Sequence, residues 1–197
     1  MPPPPTAPAE VLAALSRVLA DWGASWYVFG AQAVLVWGRP RLSADVDVTV
    51  RLAPEDPARF ARVMGEHGFQ VRVSDLEAFV RRTRVVPFVH VPTGLALDVV
   101  LAGPGPEELF LSRTVNVDFG GVTVPVISAE DLIVTKVLAG RPKDWDDVHG
   151  VLAERGPFLD LESIRATLGL IEDALGQSDL RPAFQAALAK AKRWNSM

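Results

Sequence analysis

Two aspartates separated by one residue are the first side chains in this sequence that can do chemistry. Asp45 and Asp47 interrupt an otherwise apolar run that ends at Val50. Because side chains alternate between the two faces of a strand, both carboxylates share one face and the intervening valines share the other. Like charges side by side on a half-buried strand repel each other and lose hydration. Divalent cations relieve that cost, so the spacing indicates a metal site.

A third acid and a glycine turn extend this pattern. Asp98 is the one acid within the apolar run 95–101, where a carboxylate needs a partner or a metal. Gly30 follows a short apolar strand predicted over 26–29 and precedes a helix predicted from Ala31. Backbone N–H groups at such a turn can bind a phosphate. A phosphate-binding turn, paired carboxylates and a third acid from another strand together describe a two-metal phosphoryl-transfer site.

Two polar residues precede the carboxylate strand. Arg41 lies in the loop that leads to it, and its guanidinium is suited to clamping phosphate oxygens. Ser43, two residues before Asp45, has a hydroxyl that can make a similar contact. Both are candidate nucleotide contacts, and a solvated loop arginine is the alternative for Arg41.

These positions resemble the core pattern of the nucleotidyltransferase superfamily, which is hydrophobic-Gly-[Gly/Ser], then Asp-x-[Asp/Glu], then a distant Asp. The resemblance implies that Asp45 and Asp47 bridge two Mg²⁺ or Mn²⁺ ions and that Asp98 completes the ion beside the attacking hydroxyl. It also implies an NTP substrate whose phosphates meet the N–H groups of Gly30 and Ala31. Ala31 stands where the family usually has Gly or Ser, so the N–H is kept but no hydroxyl is present.

A second resemblance covers the later part of the chain. The run from Ile127 to Lys136 is similar to the Glu-[Asp/His]-Leu-x-x-x-Lys motif of the AbiEii-type nucleotidyltransferase toxins, and residues 143–148 are similar to that family's Asp-x-x-Asp motif. The resemblance implies that Lys136 binds nucleotide phosphates and that Asp147 supports the lysine or the nucleotide. A solvent-exposed lysine and a buried Lys136–Asp147 ion pair are the alternatives.

The coarse secondary-structure pattern predicts an α+β fold. A mixed β-sheet with flanking helices forms the nucleotidyltransferase core over residues 8–127, with hairpins predicted within 85–101 and 114–127. From residue 128 the pattern is helical only, which predicts a C-terminal helical lobe over 128–197 with a helix break at Gly169. The proline-rich segment 1–7 is predicted to be a disordered arm.

Composition excludes several classes of protein. The 197 residues include no cysteine, which excludes disulfides and thiolate chemistry, and the three scattered histidines do not favour a zinc enzyme. No apolar run approaches the roughly 20 residues of a membrane span, and the N-terminus lacks signal-peptide features. We therefore expect a cytoplasmic protein that does not interact with membranes.

The acceptor of the transferred group stays open at this point. The toxin resemblance favours an RNA acceptor such as tRNA, or a protein hydroxyl, together with a cognate antitoxin. The net charge of -4 also suits a cationic small acceptor of the aminoglycoside or lincosamide type, and Ala31 leaves a non-catalytic nucleotide-binding regulator as a further alternative. A positive rim around the cleft would favour RNA; the candidate basic clusters are 39–41, 81–84, 141–143 and the tail from Lys190.

Overall fold

The computed structural model describes residues 6–52 and 55–194. Most of the predicted proline-rich arm, residues 1–5, lies outside the described residues, and the first helix begins at Ala7. The chain divides into two compact units. One comprises residues 1–32 and 42–127, and the other comprises residues 33–41 and 128–197.

A mixed β-sheet forms the first unit, as the α+β prediction requires. Its strands are β1 (Ser25–Phe29), β2 (Asp45–Arg51), β3 (Phe69–Val71), β4 (Val85–His90), β5 (Leu95–Leu101), β6 (Val115–Asp118) and β7 (Thr123–Val126). Their order across the sheet is β3-β4-β5-β2-β1-β7-β6. Strand β2 pairs parallel with β5, and β1 pairs parallel with β7, while the other pairs are antiparallel. Both predicted hairpins, β4–β5 and β6–β7, are present.

Helices of the first unit cover the sheet. They are α1 (Ala7–Trp22), α3 (Pro57–Glu66), α4 (Leu76–Thr83) and α5 (Pro106–Ser112), together with the start of α2 (Gly30–Trp37). Helix α1 carries its apolar residues at helical spacing, and these are buried: Val11, Leu12, Leu15, Val18 and Leu19. It contacts β5 and α3 and ends at Gly23, which has φ 65°. The apolar face of β2, Val46, Val48 and Val50, is fully buried, which leaves the opposite face for its aspartates.

The second unit is helical. Its helices are the remainder of α2, then α6 (Ala129–Ala139), α7 (Pro142–Arg155), α8 (Leu161–Leu175) and α9 (Leu180–Trp194), with one short helical turn at Gly156–Phe158. Ser128 caps α6 by accepting a hydrogen bond from the Asp131 N–H. The break predicted at Gly169 is wrong, because α8 continues through this residue. A glycine inside a helix costs only about 0.5–1 kcal/mol, which the packing of a 15-residue helix outweighs.

Among the described residues, none of the helices combines the length and the apolar character that crossing a membrane requires.

Candidate active site

Sheet register brings the three predicted acids together. In the parallel β2·β5 pair, Asp47 lies opposite Asp98, and Asp45 lies opposite Ala96. Residues opposite each other share a face, and so do Asp45 and Asp47, because they are two positions apart. Each aspartate offers one carboxylate oxygen, and these oxygens lie within 4.8 Å of one another. The predicted convergence of these side chains is therefore present, and we call these three residues the acid trio.

The acid trio has the donor set of a hard-cation site. All three side chains are half-buried carboxylates, and Mg²⁺ and Mn²⁺ prefer oxygen ligands, whereas zinc sites use histidine or cysteine. Three unprotonated carboxylates at this separation repel each other, and a bound cation relieves that repulsion. The residues present therefore fit the divalent cation that the sequence predicts.

Position 30 requires glycine for two reasons, the backbone conformation of the turn and the closeness of Asp47. Gly30 is the first residue of α2 and has φ 62°, a backbone conformation that residues other than glycine rarely adopt. A Cβ at this position would lie 2.7 Å from Cγ and 2.9 Å from Cβ of Asp47, and it would overlap Oδ2. The backbone turn and the Asp47 carboxylate are thus in direct contact. Phe29, the preceding residue, pairs with Asp47 in the β1·β2 ladder.

Ser43 binds the acid trio directly. Its Oγ donates to Oδ1 of Asp45 over 2.6 Å, and the Gln32 side chain donates to the Asp45 carbonyl over 3.5 Å. Ser43 therefore orients Asp45, an arrangement that the sequence alone did not indicate. Ala31 is buried, with 6% of its surface exposed, and its side chain has no polar atom, so its N–H is the one donor that it has for a phosphate.

Arg72 contacts the acid trio through Asp98, and sequence reasoning missed this residue. Its Nη2 donates to Oδ1 of Asp98, and its Nε donates to the Phe88 carbonyl over 2.8 Å. Arg72 directly follows β3, and Asp98 lies two strands away on β5, so the contact depends on the strand order. No local signal in the sequence indicates it.

Lys136 lies in a separate buried cluster within the helical unit. Its Nζ is 2.7 Å from Oδ2 of Asp147 and 3.1 Å from Oδ1 of Asp144. Asp147 also accepts two hydrogen bonds from Arg41, over 2.8 and 3.1 Å, and Asp144 accepts two from Arg141, over 2.5 and 3.2 Å. We call these five residues the charge cluster. Its lysine and both aspartates are at most 8% exposed.

The charge cluster keeps its aspartates ionised. Burial raises the pKa of Asp144, but hydrogen bonds from Arg141 and Lys136 outweigh it and hold that pKa below its usual value. Burial and the hydrogen bonds from Arg41 and Lys136 have the same opposed effects on the pKa of Asp147, which is also lowered. Of the two alternatives for Lys136, the structure has the buried ion pair, and the solvent-exposed lysine is wrong.

Sequence analysis included two further members of the charge cluster, Asp144 in the Asp-x-x-Asp match and Arg141 in a candidate basic cluster, but did not predict that they pair with each other or that Asp144 contacts Lys136. Asp144 lies in the first turn of α7, where the helix dipole is a sufficient local reason for an acid, so nothing suggested that it is fully buried. Arg141 adjoins a proline and resembles any helix-end arginine. The predicted role of Lys136, Asp147 and Arg41 in nucleotide binding stays a prediction.

Gly30→Ala tests the contact between the turn and Asp47. Gly23→Ala is the matched control, because Gly23 has φ 65° but no atom lies within 4 Å of the place that a Cβ would take. We expect Gly23→Ala to cost about 1–2 kcal/mol of unfolding free energy from backbone strain alone. Gly30→Ala should cost more and should also weaken Mn²⁺ binding, since the methyl displaces Asp47. Equal costs and unchanged Mn²⁺ affinity would contradict the contact.

Lys136→Ala tests the charge cluster. It leaves two buried carboxylates with less compensating charge, so we expect the unfolding free energy to fall by about 3–5 kcal/mol in urea titrations. Lys143→Ala, at an exposed lysine in the same unit, should change it by less than about 0.5 kcal/mol. A Lys136→Ala protein as stable as the wild type, but with weaker nucleotide binding, would instead make Lys136 a nucleotide contact.

The fold is found in solved nucleotidyltransferase structures. The antibiotic-resistance factor ANT(2'')-Ia aligns over 96% of this chain and 97% of its own, with 13% identity and a TM-score of 0.57. An antigenic nucleotidyltransferase-like protein from Paracoccidioides brasiliensis aligns over 95% of both chains, with 16% identity and a TM-score of 0.51. The lincosamide antibiotic adenylyltransferase LnuA, solved with lincomycin bound, aligns over 75% of this chain and 96% of its own, with 14% identity and a TM-score of 0.52. At these identities the likeness shows the fold alone.

The sequence identifies the family. No curated protein matches the chain. The family described as "Nucleotidyl transferase AbiEii toxin, Type IV TA system" matches residues 13–197, which include the acid trio, Gly30 and the charge cluster. The chain therefore belongs to the AbiEii family of nucleotidyl transferases.

Proposed function

We propose that this protein transfers a nucleoside monophosphate from an NTP to an acceptor hydroxyl, with Mg²⁺ or Mn²⁺ held by Asp45, Asp47 and Asp98. The observation that carries the proposal is the convergence of three carboxylate oxygens within 4.8 Å beside the Gly30 turn. Bound divalent cations would supply neutralisation of the phosphate charge and polarisation of the phosphoryl group.

The residues around the acid trio have separate tasks in this reaction. The acceptor oxygen forms a bond to the α-phosphorus while the bond from that phosphorus to the β-phosphate bridging oxygen breaks, and pyrophosphate leaves. Asp98 accepts the proton of the attacking hydroxyl. The N–H groups of Gly30 and Ala31, at the start of α2, donate to phosphate oxygens of the NTP. Ser43 holds Asp45 in the orientation that it needs.

An RNA 3′ end, such as that of tRNA, or a protein hydroxyl is the first candidate acceptor. Its support is the family, whose members are described as toxins of type IV toxin–antitoxin systems. The same description supports a cognate antitoxin as partner. The NTP, the RNA or protein acceptor and the divalent cation are all present in the cytoplasm, which is where we propose that the protein acts.

A cationic antibiotic is the second candidate acceptor, and a specific observation favours it. Five arginines of the candidate basic clusters are already paired with carboxylates; the pairs are Arg39–Glu154, Arg41–Asp147, Arg81–Glu77, Arg84–Glu55 and Arg141–Asp144. Paired arginines attract a phosphate backbone less strongly. Two of the structural neighbours, ANT(2'')-Ia and LnuA, are named for antibiotic resistance or antibiotic adenylylation.

Label transfer from NTPs tests the proposal. The full chain is incubated with Mg²⁺, each α-³²P-labelled NTP in turn, and either total cell RNA, cell protein or a panel of aminoglycosides and lincosamides. We expect label in one acceptor class, abolished by EDTA and reduced at least about 100-fold by Asp98→Asn, because the reaction loses its proton acceptor. Asp118→Asn, at an exposed acid of β6, should retain wild-type transfer.

The distribution of label separates the candidates. Label in RNA or protein supports the toxin function, and label in an antibiotic supports the second candidate. Nucleotide binding with no transfer to any class would contradict the proposal and favour a non-catalytic regulator.

A further inference from the structure

Arg72 is held by one backbone and one side-chain hydrogen bond to β4, next to the acid trio. Its N–H donates to the Pro87 carbonyl over 2.9 Å, and its Nε donates to the Phe88 carbonyl over 2.8 Å. From these two anchors on β4 the guanidinium extends to Asp98 on β5. An arginine held at two points loses little further side-chain freedom when it binds a carboxylate. Forming the ion pair with Asp98 therefore costs less side-chain entropy than it would for an arginine without these two hydrogen bonds.

The positive charge of the Arg72 guanidinium reduces the net charge of the whole acid trio. Three carboxylates carry a charge of -3, and the guanidinium contributes +1, so the set carries -2. One divalent cation balances that charge, whereas a second one leaves an excess of +2. The guanidinium also occupies one oxygen of Asp98. The unfavourable position for a second cation is thus the one at Asp98.

We propose that Arg72 is the counter-ion of Asp98 and makes binding of the second divalent cation depend on the NTP. Without nucleotide, the acid trio binds one cation, at Asp45 and Asp47. The triphosphate then brings the negative charge that allows a second cation beside Asp98. This inference rests on the proposed function, since it concerns the same site. In it, Arg72 is a positioning residue and not a group that touches the substrate.

Mn²⁺ titration of the full chain without nucleotide tests this inference. The electron paramagnetic resonance signal of free Mn²⁺ gives the number of bound ions and their affinity. We expect one Mn²⁺ per wild-type chain. Arg72→Gln should bind two, the second at least about tenfold more tightly than any second ion on the wild type, because a positive charge in contact with its ligand is gone. Arg81→Gln, which removes an arginine paired with Glu77 on α4, should match the wild type.

The double variant Arg72→Gln/Asp98→Asn locates the second ion. It should return to one Mn²⁺, because the ligand that the arginine protected is removed. Far-ultraviolet circular dichroism of each variant checks that it is folded before titration.

Three results would overturn the inference. One is a wild type that binds two Mn²⁺ without nucleotide, a measurement that needs no variant. Another is a folded Arg72→Gln protein with unchanged or weaker Mn²⁺ binding, and the third is a double variant that keeps the second ion. In each of these the acid trio still binds metal, so the proposed function survives. A wild type that binds no Mn²⁺ would overturn the proposed function and the inference together.

Discussion

Repulsion among three carboxylates is the constraint on which the sheet unit depends. Parallel pairing of β2 with β5 places Asp98 beside Asp47, and alternation along β2 adds Asp45 on the same face, with oxygens within 4.8 Å of one another. Negative charges this close destabilise the folded chain unless positive charge lies near them. A binding site for divalent cations accounts for such an arrangement, since the ligand itself supplies the missing charge.

The surroundings of the acid trio follow from this constraint. Gly30 leaves room for the Asp47 carboxylate, Ser43 holds Asp45, and Arg72 compensates Asp98. The helical unit solves its own charge problem differently. There three cations contact two buried aspartates, so protein side chains supply all the positive charge that these carboxylates need, and a metal is not required. Acids of one chain thus have two distinct environments, one suited to binding a cation and one to stabilising helices.

Local patterns were enough to predict the acid trio, but not the arginine beside it. Alternation puts Asp45 and Asp47 on one face wherever the strand lies, and an acid inside an apolar strand marks Asp98. Arg72 reaches Asp98 only because β4 lies between β3 and β5, an order that no nearby residue encodes. Asp144 had a sufficient local explanation in the helix dipole, and its burial arises from packing in the helical unit. Sequence therefore identifies residues that a strand or turn positions, and it missed the Arg72–Asp98 contact, which depends on the strand order.

Binding of a divalent cation by Asp45, Asp47 and Asp98 is the property from which the proposed chemistry follows. Anomalous diffraction from crystals of the protein soaked in Mn²⁺ tests it most directly, because manganese alone among the atoms present scatters strongly at its absorption edge. We predict an anomalous peak at about 2.0–2.6 Å from carboxylate oxygens of Asp45 and Asp47. Crystals that hold manganese elsewhere on the chain, with no peak at these carboxylates, would contradict it.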